Sequence, residues 1–121
     1  MPRFSKSSLS KIQTCSLDLQ EIVNEAIKIT DFTVLCGHRN QEEQEKAFKS
    51  GYSKARWGQS LHNSLPSRAI DIAPYPIDWN DKERFKQLAE VIKQIAFEKG
   101  INIRWGGDFK SFVDMPHFEL A

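Results

Sequence analysis

Four residues have the types and spacing to hold a metal ion and move a proton beside it: His62, Asp71, Asp114 and His117. The chain carries only three histidines. His62 lies in Ser60-Leu61-His62-Asn63, and Asp71 follows nine residues later within Ala69-Ile70-Asp71-Ile72-Ala73. A carboxylate between two isoleucines in a β-type run needs a cation, because an unpaired buried charge is very costly. That cation is either a neighbour such as Arg68, in a plain salt bridge, or a metal. Near the C-terminus, Asp114-Met115-Pro116-His117 sets a second imidazole among apolar neighbours, with an acid three residues before it. Alone, such a histidine is more often a satisfied core residue. In combination, two imidazoles and a carboxylate match a frequent catalytic zinc set that leaves a fourth position for water. A spare acid beside a ligand suits the general base of a hydrolase. The chain contains no H-E-x-x-H, which excludes the thermolysin type of arrangement.

These residues need a scaffold, and the hydrophobic pattern outlines one. Leu19, Ile22, Val23 and Ala26 recur at helical spacing after a possible Ser16 cap, with a shorter turn before them around Leu9 and Ile12. Phe32 to Cys36 reads as a strand ended by Gly37. Asn40 and Glu43 have capping-box spacing, and Gly51 would close the helix they start. Residues 52–67 read as a long loop, a frequent place for function. Arg68 to Ala73 is a strand stopped by Pro74 and Pro76. Asn80 and Glu83 again have capping-box spacing. They precede an apolar stripe of Phe85, Leu88, Ala89, Ile92, Ile95 and Ala96, ended by Gly100. Ile101 to Trp105 and Phe112 to Leu120 read as a strand pair, joined as a hairpin across Gly106-Gly107-Asp108. The order predicts an α+β fold in which an antiparallel sheet packs against helices.

Length and composition narrow the function classes. The 121 residues suit one domain, 1–121, able to bury a core unaided. A net charge of +1 gives no global handle for nucleic acid, and no membrane partner is expected. The first residues lack the apolar run of a signal sequence, and no window is long enough to span a bilayer, so a cytoplasmic location is expected. Cys15 and Cys36 are too few for a disulfide framework and read as buried thiols in a reducing compartment. Trp57, Trp79 and Trp105 read as core or rim aromatics. His38 would face away from the site on a continuing strand. Glu119 would either orient a histidine or sit at the surface.

Ser60-Leu61-His62, Ala69-Ile70-Asp71 and Asp114-Met115-Pro116-His117 together resemble the S-x-H, A-x-D and acid-x-x-H signatures of the VanY-type zinc peptidases. That family holds D-alanyl-D-alanine carboxypeptidases, VanX/VanY-type enzymes and the L-alanyl-D-glutamate endopeptidases of bacteriophage lysis. Gly37-His38-Arg39 is similar to the family's G-x-R element. Asp71-Ile72-Ala73-Pro74 with Ile77-Asp78-Trp79 looks particularly like the phage lysis enzymes. The resemblance covers nearly the whole chain and implies the small α+β scaffold shared by hedgehog signalling domains and D-Ala-D-Ala peptidases. It implies that His62, Asp71 and His117 bind one zinc (Zn2+) and that Asp114 is the catalytic base. It also implies that Arg39 binds substrate or stabilises the developing oxyanion, with Ser60 beside it as a substrate contact. The implied partner is the bacterial peptidoglycan stem peptide, met by a monomer after the membrane has been permeabilised. One departure stands out: the interval from His62 to Asp71 is two residues longer than in the common S-x-H-x-x-G-x-A-x-D pattern, and Ser67 stands where glycine is usual.

Cleavage between L-alanine and D-glutamate is the expected activity, since 121 residues leave little chain for the closed pocket a carboxypeptidase needs. Removal of a terminal D-alanine is the alternative within the family. Two readings come from other classes. One is a zinc-containing binding module without catalysis; the other is a glycoside hydrolase using Asp71 and Asp114 as paired carboxylates.

Overall fold

The computed structural model describes residues 3–121. Two helices, α1 (Lys6–Ile12) and α2 (Leu17–Ala26), precede strand β1 (Phe32–Cys36), and helix α3 (Gln41–Lys49) follows it. A long loop with a 3-10 turn at Leu61–Asn63 leads to β2 (Ala69–Pro74) and helix α4 (Lys82–Lys99). Strand β3 (Ile103–Trp105), a second 3-10 turn (Gly106–Asp108) and β4 (His117–Leu120) complete the chain. The four strands form one sheet in the order β1-β2-β4-β3, every pair antiparallel. This is the α+β arrangement that the sequence predicts.

Local chemistry explains the helix ends. Ser16 caps α2. Asn40 and Glu43 form a reciprocal capping box at α3, with bonds of 2.8 and 2.9 Å. Gly100 ends α4 in the left-handed region, at φ 71°. Two expectations are corrected. The cap of α4 is Asp81, which accepts from the Arg84 N–H; Asn80 instead turns back to the Asp78 carboxylate at 3.0 Å. The segment from Phe112 to Pro116 is a loop and only His117–Leu120 is strand, because Asp114 N–H bonds to Gly106 O at 2.9 Å and His117 N–H turns back to Asp114 O. The hairpin connection therefore spans residues 106–116 and carries Asp114.

Strand alternation divides the sheet into two faces. Ile70, Ile72, Val34 and Phe118 enter one core with Leu19, Ile22 and Val23 of α2 and Leu88, Ile92 and Ala96 of α4. Full burial of each large aliphatic side chain contributes roughly 1.5–3 kcal/mol. The intervening positions Asp71, His117 and Glu119 are left for the other face. Gly37 is required at the end of β1: a methyl there would strike Lys11 O and the Thr14 hydroxyl of the α1–α2 connection.

Candidate metal centre

Asp71 and His117 are directly opposite each other in the β2–β4 register, and the 3-10 turn brings His62 over them. Ser60 sets that turn, its hydroxyl accepting from His62 N–H at 3.2 Å. Three atoms then meet: His62 Nε2, His117 Nδ1 and Asp71 Oδ1, each 3.2 Å from the other two. Three corners of a tetrahedron with that edge surround a centre at about 2.0 Å, the zinc–nitrogen and zinc–oxygen distance.

The hydrogen positions sharpen the fit. His62 Nδ1 lies 2.7 Å from Gly37 O, which can only accept, so that nitrogen carries a hydrogen. His117 Nε2 lies 2.7 Å from Glu119 Oε1 and donates likewise. Both neutral rings thus spend their hydrogens outward and aim lone pairs at a carboxylate oxygen. Three lone-pair atoms in mutual contact require a cation among them, either protons or a metal. The donor set fits a metal ion.

Without a metal, the charges rearrange around Asp71. Burial lowers the basicity of His62, but the charge and hydrogen bond of Asp71, with help from Cys36, push its pKa up to about 10. Burial likewise opposes protonation of His117, and contacts with Asp71 and Glu119 outweigh it. Burial would raise the Asp71 pKa, yet both histidines hold it well below the usual range. The chelator-stripped protein therefore depends on a protonated His62. That stabilisation is complete below the ordinary value of 6.5 and is lost as pH rises through about 10. Urea unfolding of stripped protein across this window should show falling stability; a flat or rising profile would remove the His62–Asp71 charge pair from the account.

Arg39 braces the other Asp71 oxygen at 3.5 Å, and its Nη1 donates to Gln44 Oε1 at 3.0 Å. The cation beside Asp71 is thus Arg39, while Arg68 is exposed. Arg39 nonetheless lines a cavity of about 1080 Å³ together with Ser60, His62, Asp71, Asp114 and His117. Asp114 shares a potential ligand group with Asp71 and His117, ligand atoms lying within 4.8 Å of one another. Burial, then the Asp71 charge, raise its pKa, which makes it a stronger base than an ordinary aspartate. Its position depends on Gly106, where a methyl would run into the Asp114 carbonyl. A methyl there also presses on His117 Cβ at 3.0 Å, so Gly106→Ala should lose roughly tenfold or more in turnover on wall fragments, since a shift of ~1 Å can cost more. Unchanged turnover would show that the 106–116 loop relaxes without moving Asp114.

Features around the site depend on partners distant in sequence. Gln44 is fully buried and joins Arg39, Asn63, Ser53 and Ala55 O, tying α3 to the site loop. Nothing in its helical context marks it. Of the two roles the sequence allows it, Glu119 takes the first: it orients His117 and is itself held by Arg104 at 2.8 Å. Cys36, expected as a buried thiol, is half-buried and grouped with His62 and Asp71, whereas Cys15 is buried as expected. His38 bonds to Ser64 O, away from the trio. The longer His62–Asp71 interval is taken up in a loop whose Leu65 is exposed, while Ser67 returns to the core and pairs with Cys15. Trp105 is buried, and Trp57 and Trp79 are exposed.

A helix-backed antiparallel sheet with two imidazoles and a carboxylate converging on its open face defines a small α+β domain built around that group. The chain belongs to the phage L-alanyl-D-glutamate peptidase family, whose model matches residues 1–121. It is similar to the peptidoglycan L-alanyl-D-glutamate endopeptidase CwlK of Bacillus subtilis (strain 168), at 32% identity over 114 residues and 78% of this chain. The chain spans 64% of that relative's length. The crystal structure of the Serratia marcescens L-Ala D-Glu endopeptidase ChiX superimposes with a TM-score of 0.80 and 27% identity, covering 98% of this chain and 90% of that one.

Proposed function

We propose that this chain is a zinc-dependent peptidoglycan peptidase that hydrolyses the L-alanyl-D-glutamate bond of the stem peptide, and that residues 1–121 form its catalytic domain. The observation that carries the reading is the triangle of His62, Asp71 and His117 with Asp114 beside it. His62, Asp71 and His117 would hold the zinc, which would supply Lewis acidity and lower the pKa of water in the site. Asp114 accepts the proton released as the water attacks the amide carbonyl, and can return it to the leaving amine. Arg39 faces the cavity with a fixed planar cation, suited to the negative charge that develops on the carbonyl oxygen. Glu119 and Gly37 O keep the two imidazoles in the tautomers that leave Nδ1 of His117 and Nε2 of His62 free.

The bond assignment is supported by the family and by the named activities of CwlK and ChiX. Digestion of intact sacculi followed by labelling of new amino termini tests it: D-glutamate is expected. Free D-alanine as the sole product would replace the endopeptidase with a carboxypeptidase. No release of amines from any wall fragment by zinc-loaded protein would leave a binding module.

A further inference from the structure

We propose that the centre has a second ligand set, Cys36 with His62 and Asp71, which captures thiophilic ions through the cysteine sulfur. This rests on the metal-centre reading above and extends it to ion selectivity. The register carries the argument. Phe32, Thr33 and Val34 pair regularly with Pro74, Ala73 and Ile72, so the next pair in step would be Leu35 with Asp71. A β-bulge intervenes, and Cys36 stands opposite Asp71 instead. Bulges beside functional sites re-aim side chains in this way. Asp71 in turn faces His117, so Cys36, Asp71 and His117 form one row across three strands. Directly opposite residues share a sheet face.

The sulfur is close enough to take part. The Cys36 Sγ, a His62 ring nitrogen and an Asp71 carboxylate oxygen all lie within 4.8 Å of one another. Tetrahedral sulfur and nitrogen ligands of one ion, at ~2.3 and ~2.1 Å from it, lie roughly 3.6 Å apart. A small rotation about the Cys36 Cα–Cβ bond covers the difference. The thiol is weakly held: it donates over 3.5 Å to Gly37 O, a carbonyl already engaged by His62 Nδ1 at 2.7 Å. On binding, the thiol releases its proton to solvent and the sulfur lone pair goes to the ion. Sulfur favours soft ions, whereas the His117 set offers only nitrogen and oxygen.

Cadmium is the probe. The wild-type chain should bind one cadmium ion with a sulfur-to-cadmium charge-transfer band in the ultraviolet. Cys36→Ser should lose the band and bind cadmium more weakly by about tenfold or more, the loss that even an outer partner can cause. Its zinc affinity should change far less. His117→Ala, deprived of zinc, should still bind cadmium with the band present. Cadmium NMR on the wild-type chain gives a readout that needs no variant: a shift characteristic of a sulfur ligand is expected. Zinc binding with no sulfur signature for cadmium overturns this inference and leaves the proposed function intact. Failure to bind either ion overturns both.

Discussion

Asp114→Asn is expected to keep its zinc and lose roughly 10²-fold or more of its turnover. The substitution preserves shape, so the backbone bonds Asp114 N–H to Gly106 O and His117 N–H to Asp114 O should survive. What disappears is the capacity to accept a proton. The acids left beside the imidazoles are both committed: Asp71 is a corner of the ligand triangle, and of Glu119 one oxygen takes the His117 hydrogen at 2.7 Å and the other takes Arg104 at 2.8 Å. Glu119 cannot act as the base without releasing His117. Metal analysis alongside initial rates on purified wall fragments makes the test. A zinc-loaded Asp114→Asn chain with near-normal turnover would assign the proton transfer elsewhere.

His117→Ala should bind almost no zinc and fall to background activity. The triangle then keeps two corners, and Asp71 loses one of the two histidines that hold its pKa down. The effect reaches stability as well. With free zinc at about 1,000 times its dissociation constant, binding stabilises the folded state by ~4.1 kcal/mol. The wild-type melting temperature should therefore rise on adding zinc, and that of His117→Ala should not respond. Elemental analysis and thermal melts with and without zinc read both effects. Full zinc occupancy in the variant would take His117 out of the ligand set; a zinc-insensitive wild type would remove the metal from the stability of the fold.

Sequence by itself determined what depends on neighbours along the chain. The Phe32–Cys36 strand, the Asn40/Glu43 box, the α4 stripe and the stop at Gly100 follow from periodicity and capping, which act within a few residues. His62, His117 and Asp71 stand out in the sequence because histidines are scarce and a carboxylate between isoleucines is costly, whereas Asp114 is marked only by its place three residues before His117. Tertiary structure decided the rest, through pairings between distant segments. His62 and His117 are 55 positions apart, and only the strand register with the Ser60-capped turn sets their nitrogens 3.2 Å apart. Helical context cannot reveal that Gln44 is buried, because its partners come from the loop at residues 53–63 and from Arg39. Asp81 caps α4 because its carboxylate meets the Arg84 N–H, a one-residue choice that spacing alone leaves open between Asn80 and Asp81. Cys36 reached Asp71 through a one-residue bulge, and alternation along β1 alone contains no trace of that slip.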